Sequence, residues 1–401
     1  MVLTKKLCPW SKARELDGVP MKTRRPLVVI LQAYIPTYRA KFFEELIHRA
    51  GGRGIDVVVV AGRPSGSQSK RKDAVAPPFV VPLKQKEFRL LGRRVTLRKW
   101  PRAAAAADLV VLEQARRNID VYRLLLPRSL RPTRIALWGH GADFAGSRGS
   151  FDVVLRKLLT RRADWFFAYS AVGGAAVQAL GMPVERITEL KNSTDTTKLR
   201  GDIVQLEESE LWSFKELHSL GNNSAAYIGA LDAGKRIELL IEAGQEIARR
   251  VPGFRLLIAG DGPLRSKVCR ADSQYPWLTY IGTVDGSAKA LLLASVKVLL
   301  IPGSVGLVAV DALTAGVPIV TTGDNAHGPE FSYLEPGLTA EVTIPEAAAY
   351  AGKAISLMND DCKLALMRES CLEASTDYSV EDMADRFLEG LMSVFSDHVR
   401  V

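Results

Sequence analysis

Val298-Leu-Leu-Ile-Pro-Gly-Ser-Val-Gly-Leu-Val-Ala-Val-Asp311 is the segment from which the architecture of this chain follows. Its first four residues form an unbroken apolar run, which is typical of a parallel strand buried on both faces. Pro302, Gly303 and Gly306 then predict a tight loop. Apolar residues at helical spacing follow from Leu307, so the segment predicts a strand, a loop and a helix in succession.

The same alternation of buried strands and helices extends outward in both directions. Strands are predicted in the C-terminal half at 226–229, 254–259, 278–281 and 318–321, and in the N-terminal half at 27–31, 55–60, 109–112, 135–138 and 165–168. Residues 63–107 fit the pattern less well and predict exposed loop or short antiparallel strands. Strands that alternate with helices favour an α/β class with two doubly wound, Rossmann-like parallel sheets facing across a cleft. Ligands would bind at the carboxyl ends of the strands, facing that cleft.

Breaks in this pattern predict the domain bounds. The predicted parts are a basic leader at 1–25, an N-terminal domain at 26–195, a linker at 196–223 that includes the first helix of a crossover, a C-terminal domain at 224–375, and a final helix at 376–401 that packs back toward the N-terminal domain. The leader lacks the apolar segment of a secretory signal. It is either a flexible extension or a stretch that precedes the true start at Met21.

Charge is divided unevenly between the two halves of the chain. The net charge is +10, yet 36 of the 54 Lys and Arg residues lie before residue 196. A basic half attracts phosphate-bearing partners such as anionic lipid, nucleic acid or pyrophosphate-linked substrates, with plain solubility as the alternative. Nucleic acid is not expected, because the sequence shows no helix-turn-helix pattern and no aromatic residues interleaved with a basic strand.

Cysteine use and hydropathy set the cellular context. The four cysteines form no CxxC pair and no zinc-ligand spacing, which indicates a reducing compartment. No run of 18 apolar residues predicts a membrane span. We therefore expect a cytoplasmic protein, and the basic half raises the alternative of attachment to the anionic inner face of the cell membrane.

Three C-terminal segments carry the strongest candidates for a ligand site. Lys235 and Arg236 stand where a loop enters a helix, a good position for binding a pyrophosphate, although a solvated pair is the plain alternative. Gly260 and Gly262 end a strand in a tight turn that lets a ligand approach the backbone, or they are simply a turn. The helix after Gly306 offers unpaired N–H groups to a phosphate.

The N-terminal half has its own candidates at strand ends. Tyr34, Tyr38 and Arg39 follow the first strand and could meet a phosphate or sugar, the alternative being a helix start with Arg39 in water. His140 stands between two glycines after Trp138, which is unlike a packed core histidine. A neutral imidazole there could bond a sugar hydroxyl. The segment 192–195 ends the predicted N-terminal domain and is a further candidate, with a simple Asx turn as the plain alternative.

In order and spacing, the C-terminal segments resemble glycosyltransferase family 4 of the GT-B fold. The matching text is Gly229-Ala-Leu followed by Lys235, Gly260-Asp-Gly-Pro263, Gly303 to Asp311, and Gly316-Val-Pro-Ile-Val320. The resemblance covers roughly residues 25–395 and is strongest from 226 to 322. It implies that Lys235 binds the donor diphosphate and that Asp311 holds the ribose.

The resemblance also implies a wider set of site residues. The implied donor-binding set is Gly229, Lys235, Arg236, Gly260, Gly262, Gly303, Val305, Gly306, Leu307, Val308, Asp311 and His327. The implied catalytic set is His140, Lys235 and Glu330, and the acceptor side is formed by Tyr34, Tyr38 and Arg39. In this set Gly306, Leu307 and Val308 offer backbone amides, while His140 contacts the donor sugar.

The sequence departs from the family pattern at two positions. Ala230 stands where the family has a phosphate-binding Arg, and Gly303 stands where it has the first of two glutamates. The chain is similar to a sub-group with Pro-Gly-x-Val-Gly-Leu and a later His-Gly-Pro-Glu. In that sub-group Glu330 or His327 could supply the polar contacts that Gly303 cannot.

The activity that the resemblance implies is a retaining transfer of a sugar from a nucleotide-diphosphate sugar to a hydroxyl of a glycan or lipid-linked acceptor, as in cell-envelope polysaccharide synthesis. No Asp-x-Asp metal motif is present, in keeping with a metal-independent enzyme, and no cofactor is expected beyond the nucleotide-sugar substrate. The alternative is a non-catalytic protein that binds sugar nucleotides on the same scaffold.

Overall fold

The structure is a computed structural model of the chain. It describes residues 24–65, 69, 73–90, 93–99, 104, 106–114, 121–122, 125, 133–141, 150–324 and 327–396. The predicted leader therefore lies outside the described residues, except for Arg24 and Arg25. Two parallel sheets dominate the architecture, and they confirm the α/β class expected from the sequence.

The N-terminal sheet has seven parallel strands in the order β11-β10-β9-β8-β1-β3-β5. These strands are β1 Leu27–Gln32, β3 Asp56–Ala61, β5 Val80–Pro82, β8 Leu109–Glu113, β9 Arg134–Gly139, β10 Trp165–Ala168 and β11 Ile187–Glu189. All six residues of β1 are buried, as expected for a strand covered by helices on both faces. The five strands predicted in this half are all present.

Helices and short strands surround this sheet. The helices are α1 Thr37–Gly52, α2 Ser150–Arg162 and α3 Ala171–Ala179. The short strands are β2 Ile35–Pro36 and β4 Ala74–Val75, which pair antiparallel, and the hairpin of β6 Gln85–Leu90 with β7 Arg93–Arg98. Short antiparallel strands therefore occur in 63–107, where the sequence departs from the βα alternation.

The C-terminal sheet has six parallel strands in the order β14-β13-β12-β15-β16-β17. They are β12 Ser224–Ile228, β13 Arg255–Ala259, β14 Leu278–Gly282, β15 Val298–Ile301, β16 Ile319–Thr322 and β17 Ala340–Thr343. The helices of this half are α6 Ile237–Arg250, α7 Arg265–Gln274, α8 Gly286–Ala294, α9 Val308–Ala315, α10 Ala347–Met358 and α11 Asp361–Ala374. Strand β15, loop and helix α9 follow one another as the opening segment predicts.

The segment 196–223 is more ordered than a linker. It holds two helices, α4 Thr196–Val204 and α5 Glu208–Leu217. Leu199 is buried in the same apolar core as the C-terminal strands. The sequence predicted a linker with one helix in this segment, and the structure has two helices.

The last helix, α12 Val380–Ser396, lies against the N-terminal sheet. Phe387 stacks on Phe167 with ring centroids 4.0 Å apart, and Arg49 forms an ion pair of 2.7 Å with Asp385. Because α12 follows the C-terminal domain in sequence, it ties the two domains together beside the cleft. The carboxyl ends of both sheets face that cleft, which is where the candidate site lies.

Candidate functional site

The loop between β15 and α9 forms the C-terminal wall of the cleft. The Val305 N–H donates to Nδ1 of His327 at 3.1 Å, and the Gly328 N–H donates to the carbonyl of Val305 at 2.7 Å. On the other side, the Ser304 N–H donates to the carbonyl of Gly234 at 2.9 Å. Neighbouring loops therefore hold this loop from two directions.

The amides that follow this loop are open to a ligand. Helix α9 begins at Val308 with Leu307 as its N-cap, and no side chain caps it. In the part of the chain that the structure describes, the N–H groups of Gly306, Leu307 and Val308 donate to no protein acceptor. Three unpaired N–H groups at the positive end of a helix dipole are a favourable site for a phosphate.

The predicted glycines pack loops against each other. A Cβ on Gly260 would lie 1.8 Å from the carbonyl oxygen of Gly229, and one on Gly262 would lie 2.5 Å from that of Leu231. A Cβ on Gly303 would lie 2.4 Å from the backbone of Lys235. The sequence predicted that Gly260 and Gly262 let a ligand approach the backbone. In the structure, the backbone of Gly229 and Leu231 makes the close approach instead. Donor binding by these glycines stays a prediction.

The basic pair Lys235–Arg236 is held beside this wall. The Lys235 ammonium donates to the carbonyl of Ser304, next to the open amides. Arg236 has a left-handed backbone with φ of 51° and forms two hydrogen bonds, of 2.8 and 3.0 Å, to the carboxylate of Asp324. Lys235 therefore bonds to the loop that precedes α9, whereas Arg236 forms an ion pair with Asp324.

Asp311 lies one turn inside α9 and is buried. Its carboxylate accepts from the Thr194 hydroxyl at 2.9 Å and from the Lys289 ammonium at 2.9 Å. It lines a second cavity, of about 530 Å³, together with residues of α1, α4 and α8. A ribose that bonded Asp311 would enter this second cavity and would exchange hydrogen bonds with Thr194 or Lys289.

His327 is a structural histidine in this conformation. Its Nδ1 accepts from Val305, its Nε2 lies 2.7 Å from the carbonyl of Thr322, and its ring stacks on Phe331. Burial lowers the pKa of His327, so the neutral form with the proton on Nε2 is favoured. Both ring nitrogens bond to backbone, and the predicted contact with the donor would need one of them to be released.

Glu330 brings a carboxyl group to the C-terminal wall from beyond β16. It is buried, and its Oε1 accepts from the Asn192 amide at 2.6 Å. Its Oε2 lies 3.9 Å from the place where a Cβ of Gly306 would stand. Burial raises the pKa of Glu330, while the hydrogen bond from Asn192 partly opposes that shift. Since Asn192 belongs to the N-terminal half, this bond joins the two walls.

Aromatic and basic side chains form the N-terminal wall. Arg39 on α1 is buried, donates to the Tyr169 hydroxyl at 2.9 Å, and lies 4.7 Å from the ring centroid of Trp138. A guanidinium does not lose its proton in proteins, so this is a fixed positive charge in the cleft. The alternative of an Arg39 side chain in water is therefore wrong. Tyr38 is exposed, and Tyr34 is buried with its hydroxyl 3.4 Å from Asp73.

His140 follows β9 directly and faces the cleft. A Cβ on the next residue, Gly141, would lie 2.2 Å from the carbonyl of Gly173, so only glycine allows this turn to pack on α3. The imidazole surface is accessible from the cleft, yet burial by the surrounding protein and the charge of Arg39 lower the pKa of His140 to about 4. The ring is therefore neutral at physiological pH and able to both donate and accept a hydrogen bond.

The structure brings many of these residues around one cavity of about 320 Å³. From the predicted sets it gathers Tyr34, Tyr38, Arg39, His140, Val305, Gly306, Leu307 and Glu330. Lys235 and His327 stand behind its C-terminal wall, and Asp311 opens into the neighbouring cavity. Gly229, Gly260 and Gly262 line neither cavity.

Several residues of this region were missed in the sequence. Glu113 and Tyr169 line the first cavity, and Lys289 bonds to Asp311. Asn192 also lines the first cavity, but the sequence had singled out its segment. Glu113 ends β8 and Tyr169 follows β10, so position at a strand end was the available signal. Asn192 lies in the segment 192–195, which is not a simple turn because it bonds across the cleft. No comparable sign points to Lys289.

Neither a metal cluster nor a membrane-spanning helix is found where the structure describes the chain. Nowhere in those residues do three His, Cys, Asp or Glu side chains gather as metal ligands would. No helix there has both the length and the apolar composition that a bilayer crossing requires.

Comparison with known proteins identifies the C-terminal domain. Residues 222–360 match the family model for glycosyl transferases group 1. The C-terminal domain is therefore similar to glycosyl transferases group 1. The matched region contains Lys235, the β15–α9 loop and Glu330, so the open amides lie in the part of the chain that matches the family model.

Curated relatives match over about a third of the chain. A GDP-mannose-dependent alpha-(1-6)-phosphatidylinositol dimannoside mannosyltransferase of Mycobacterium tuberculosis is 34% identical over 133 residues, which are 32% of this chain and 34% of that protein. A phosphatidyl-myo-inositol mannosyltransferase of the same species is 28% identical over 34% of this chain and 38% of its own length. The chain thus matches about a third of the length of these relatives.

Solved structures match over nearly the whole chain. Anabaena Alr3699/HepE in complex with UDP superposes with a TM-score of 0.66 at 16% identity, covering 92% of this chain and 100% of that one. Sucrose-phosphate synthase from Thermosynechococcus elongatus has a TM-score of 0.67 at 15% identity, covering 93% and 100%. These likenesses establish the GT-B fold across both domains.

Proposed function

We propose that the protein is a retaining glycosyltransferase, which moves a sugar from a nucleotide-diphosphate sugar to a hydroxyl of a lipid-linked or polysaccharide-precursor acceptor. One observation carries the proposal. Three unpaired amides of Gly306, Leu307 and Val308 start a helix at the cleft, and Lys235 stands behind them. The family match and the mannosyltransferase relatives support this choice of reaction class.

The amides and Lys235 stabilise the leaving group in this mechanism. As the bond from the sugar to the diphosphate breaks, negative charge grows on the phosphate oxygens. Fixed N–H dipoles and an ammonium group neutralise that charge without reorganising, which is the largest effect available to such a site. Because these groups supply positive charge, the mechanism calls for no metal ion. The Lys235 ammonium turns from the carbonyl of Ser304 to the diphosphate when the donor binds.

Side chains from both walls hold the sugar. Neutral His140 bonds a hydroxyl of the donor sugar from the N-terminal wall. Glu330, beside Gly306, bonds the sugar from the C-terminal wall and takes the place of the glutamate that the family has at Gly303. The acceptor hydroxyl enters past Tyr34, Tyr38 and Arg39 and attacks the anomeric carbon of the sugar on the face from which the diphosphate departs. As the bond from this carbon to the diphosphate breaks, the hydroxyl proton passes to the departing phosphate oxygen. Closure of the two domains excludes water and limits hydrolysis of the donor.

The second candidate is a protein that binds a sugar nucleotide without transferring the sugar. Gly303 favours it, because the chain lacks the glutamate that the family has at this position. Release of nucleoside diphosphate separates the two candidates, since only an enzyme releases it in a donor-dependent way.

A thermal-shift screen against UDP-, GDP-, ADP- and dTDP-sugars identifies the donor, because a ligand bound to the native state raises its apparent stability. Release of the matching nucleoside diphosphate is then measured for the wild type and for Lys235→Ala. We expect that variant to lose about 100-fold in kcat/KM, as for loss of one preorganised charge contact. Lys297→Ala is the matched control at the opposite end of β15, where Lys297 pairs with Asp361. Equal effects of the two variants would contradict the proposal.

A further inference from the structure

A cavity of about 970 Å³ lies outside the cleft, in the N-terminal domain. Its walls are residues 61–63 after β3, residues 82–86 from the end of β5 into β6, and residues 97–99 at the end of β7. We call it the basic–apolar pocket. It is larger than the 320 Å³ cavity of the cleft, and none of the roles described above uses it.

Hydrogen bonds between its walls hold this pocket open as a fixed frame. The Gln85 amide donates to the carbonyl of Arg63 at 2.9 Å and its oxygen accepts from the Arg63 N–H at 3.2 Å. The Leu83 N–H donates to Ala61 at 2.7 Å, and the Lys99 N–H donates to Lys84 at 2.9 Å. The Gln85 side chain and backbone hydrogen bonds therefore tie the second wall to the first and to the third.

The lining of the pocket is strongly basic. Five of its eleven residues are cationic, and the described residues that line it include no acid: Arg63, Lys84, Lys86, Arg98 and Lys99. Arg98 is only 3% exposed, while the three lysines are exposed at the rim. Glu87 is the nearby acid and accepts from Gln85 at 3.2 Å. Like charges gathered around one cavity attract an anion.

Apolar surface accompanies these charges. Ala61, Pro82, Leu83 and Leu97 form the rest of the lining apart from Gly62 and Gln85. On the adjoining strands the side chains of Val81 and Phe88 are 40% and 42% exposed. A free phosphate would leave this apolar surface unused, whereas a phosphate joined to a hydrocarbon chain would cover it.

The pocket adjoins the acceptor side of the cleft. The Gly62 N–H donates to the carbonyl of Gln32 at 3.3 Å, and a Cβ on Gly62 would lie 2.9 Å from the carbonyl of Ala33. Gln32 and Ala33 line the cleft cavity. Only the end of β1 therefore separates the two cavities.

We propose that the basic–apolar pocket binds the phosphate group and the adjoining hydrocarbon chain of a lipid-linked acceptor. The cations hold the phosphate, the apolar wall and Phe88 hold the start of the chain, and the acceptor hydroxyl reaches past β1 into the cleft. This inference rests on the proposed function, because it assigns the acceptor of that reaction to this pocket.

The test is calorimetric titration of the full chain with dihexanoyl phosphatidylinositol below its critical micelle concentration. We expect Lys84→Glu/Lys86→Glu to weaken binding by about ten-fold or more, since each basic residue contributes roughly a factor of five. Lys157→Glu/Arg186→Glu makes the same change of net charge on exposed residues of the β11 side of the same sheet. That control should stay within about two-fold of the wild type.

The deacylated compound, glycerophosphoinositol, tests the apolar wall and should bind about ten-fold more weakly or worse. Equal loss in the control variant, equal affinity for the deacylated compound, or absence of lipid binding by the wild type would each overturn the inference. The same proteins are screened with nucleotide sugars. If nucleotide sugars bind and the lipid does not, this inference fails alone. If the lipid binds through Lys84 and Lys86 and no nucleotide sugar binds, the proposed function fails instead.

Discussion

The two walls of the cleft present different kinds of group to a ligand. The C-terminal wall offers backbone amides at Gly306, Leu307 and Val308, in a loop that neighbouring loops hold in place. The N-terminal wall offers side chains, among them a buried guanidinium and a neutral imidazole. Backbone amides suit the phosphates that all nucleotide sugars share, whereas side chains suit the sugar and the acceptor, which differ between enzymes.

This contrast predicts that the walls fail in opposite ways. Adding atoms at Gly303 should damage the backbone wall, because a Cβ there would lie 2.4 Å from the backbone of Lys235. Removing a polar atom should damage the parts of the site that work through side chains. The variants below test this contrast in order of decreasing effect.

Glu330→Gln should have the largest effect, a fall of about 100-fold in kcat, because it removes a charge that contacts the sugar in the transition state. Affinity for the nucleoside diphosphate should stay within about two-fold. Gln keeps the size of the side chain and an oxygen that accepts from Asn192. Normal turnover in this variant would remove Glu330 from the mechanism.

The raised pKa of Glu330 gives this variant a second readout. Because burial raises the pKa of Glu330 in the folded chain, the folded chain binds the carboxyl proton more tightly than the unfolded chain does. Ionisation of Glu330 therefore lowers the stability of the fold as the pH rises through the folded pKa. Glu330→Gln should therefore be more stable than the wild type at pH 8, and the difference in melting temperature should shrink toward pH 4. A variant that is less stable at pH 8 would contradict the burial argument.

Gly303→Ala should reduce affinity for the nucleoside diphosphate by about 30-fold, since its Cβ would lie 2.4 Å from the backbone of Lys235 and would displace the loop. Overpacking of this kind costs about 1–3 kcal/mol of folding free energy. Gly352→Ala on α10 is the control, because a Cβ there meets no atom within 4 Å. It should raise stability by about 0.5–1 kcal/mol and leave binding unchanged. Unimpaired binding in Gly303→Ala would show that the loop is not rigid.

His140→Ala should lower kcat/KM by about ten-fold, the worth of one hydrogen bond to the donor sugar. Because the pKa of His140 is about 4, the wild type should show no inflection from this residue between pH 5 and 8. NMR titration of the imidazole checks the pKa directly. A pKa near 6.5 would mean that the charge of Arg39 and the surrounding protein do not act on His140 as described.

Asp324→Asn should have the smallest effect, a change of two-fold or less in affinity for the nucleoside diphosphate. It breaks the surface ion pair with Arg236, and such pairs contribute about 0–1 kcal/mol. The measurement is the same titration used for Gly303→Ala. A change in this affinity of more than ten-fold would show that Arg236 contributes to the donor site, as the sequence predicts.

The sequence predicted the sheets better than it predicted the contacts of the site. Buried parallel strands are unbroken apolar runs, so strands such as β1 and β15 could be read directly. The roles of Gly260 and Gly303 could not, because the loops they pack against are distant in sequence. The bond between Asn192 and Glu330 joins residues 138 positions apart, and no local pattern signals it.

A crystal structure of the protein with the nucleoside diphosphate of its donor tests the central claim most directly. We expect diphosphate oxygens about 2.7–3.2 Å from the amide nitrogens of Gly306, Leu307 and Val308, with the Lys235 ammonium turned from Ser304 onto the same phosphates. A diphosphate bound elsewhere, with those amides still facing solvent, would contradict it.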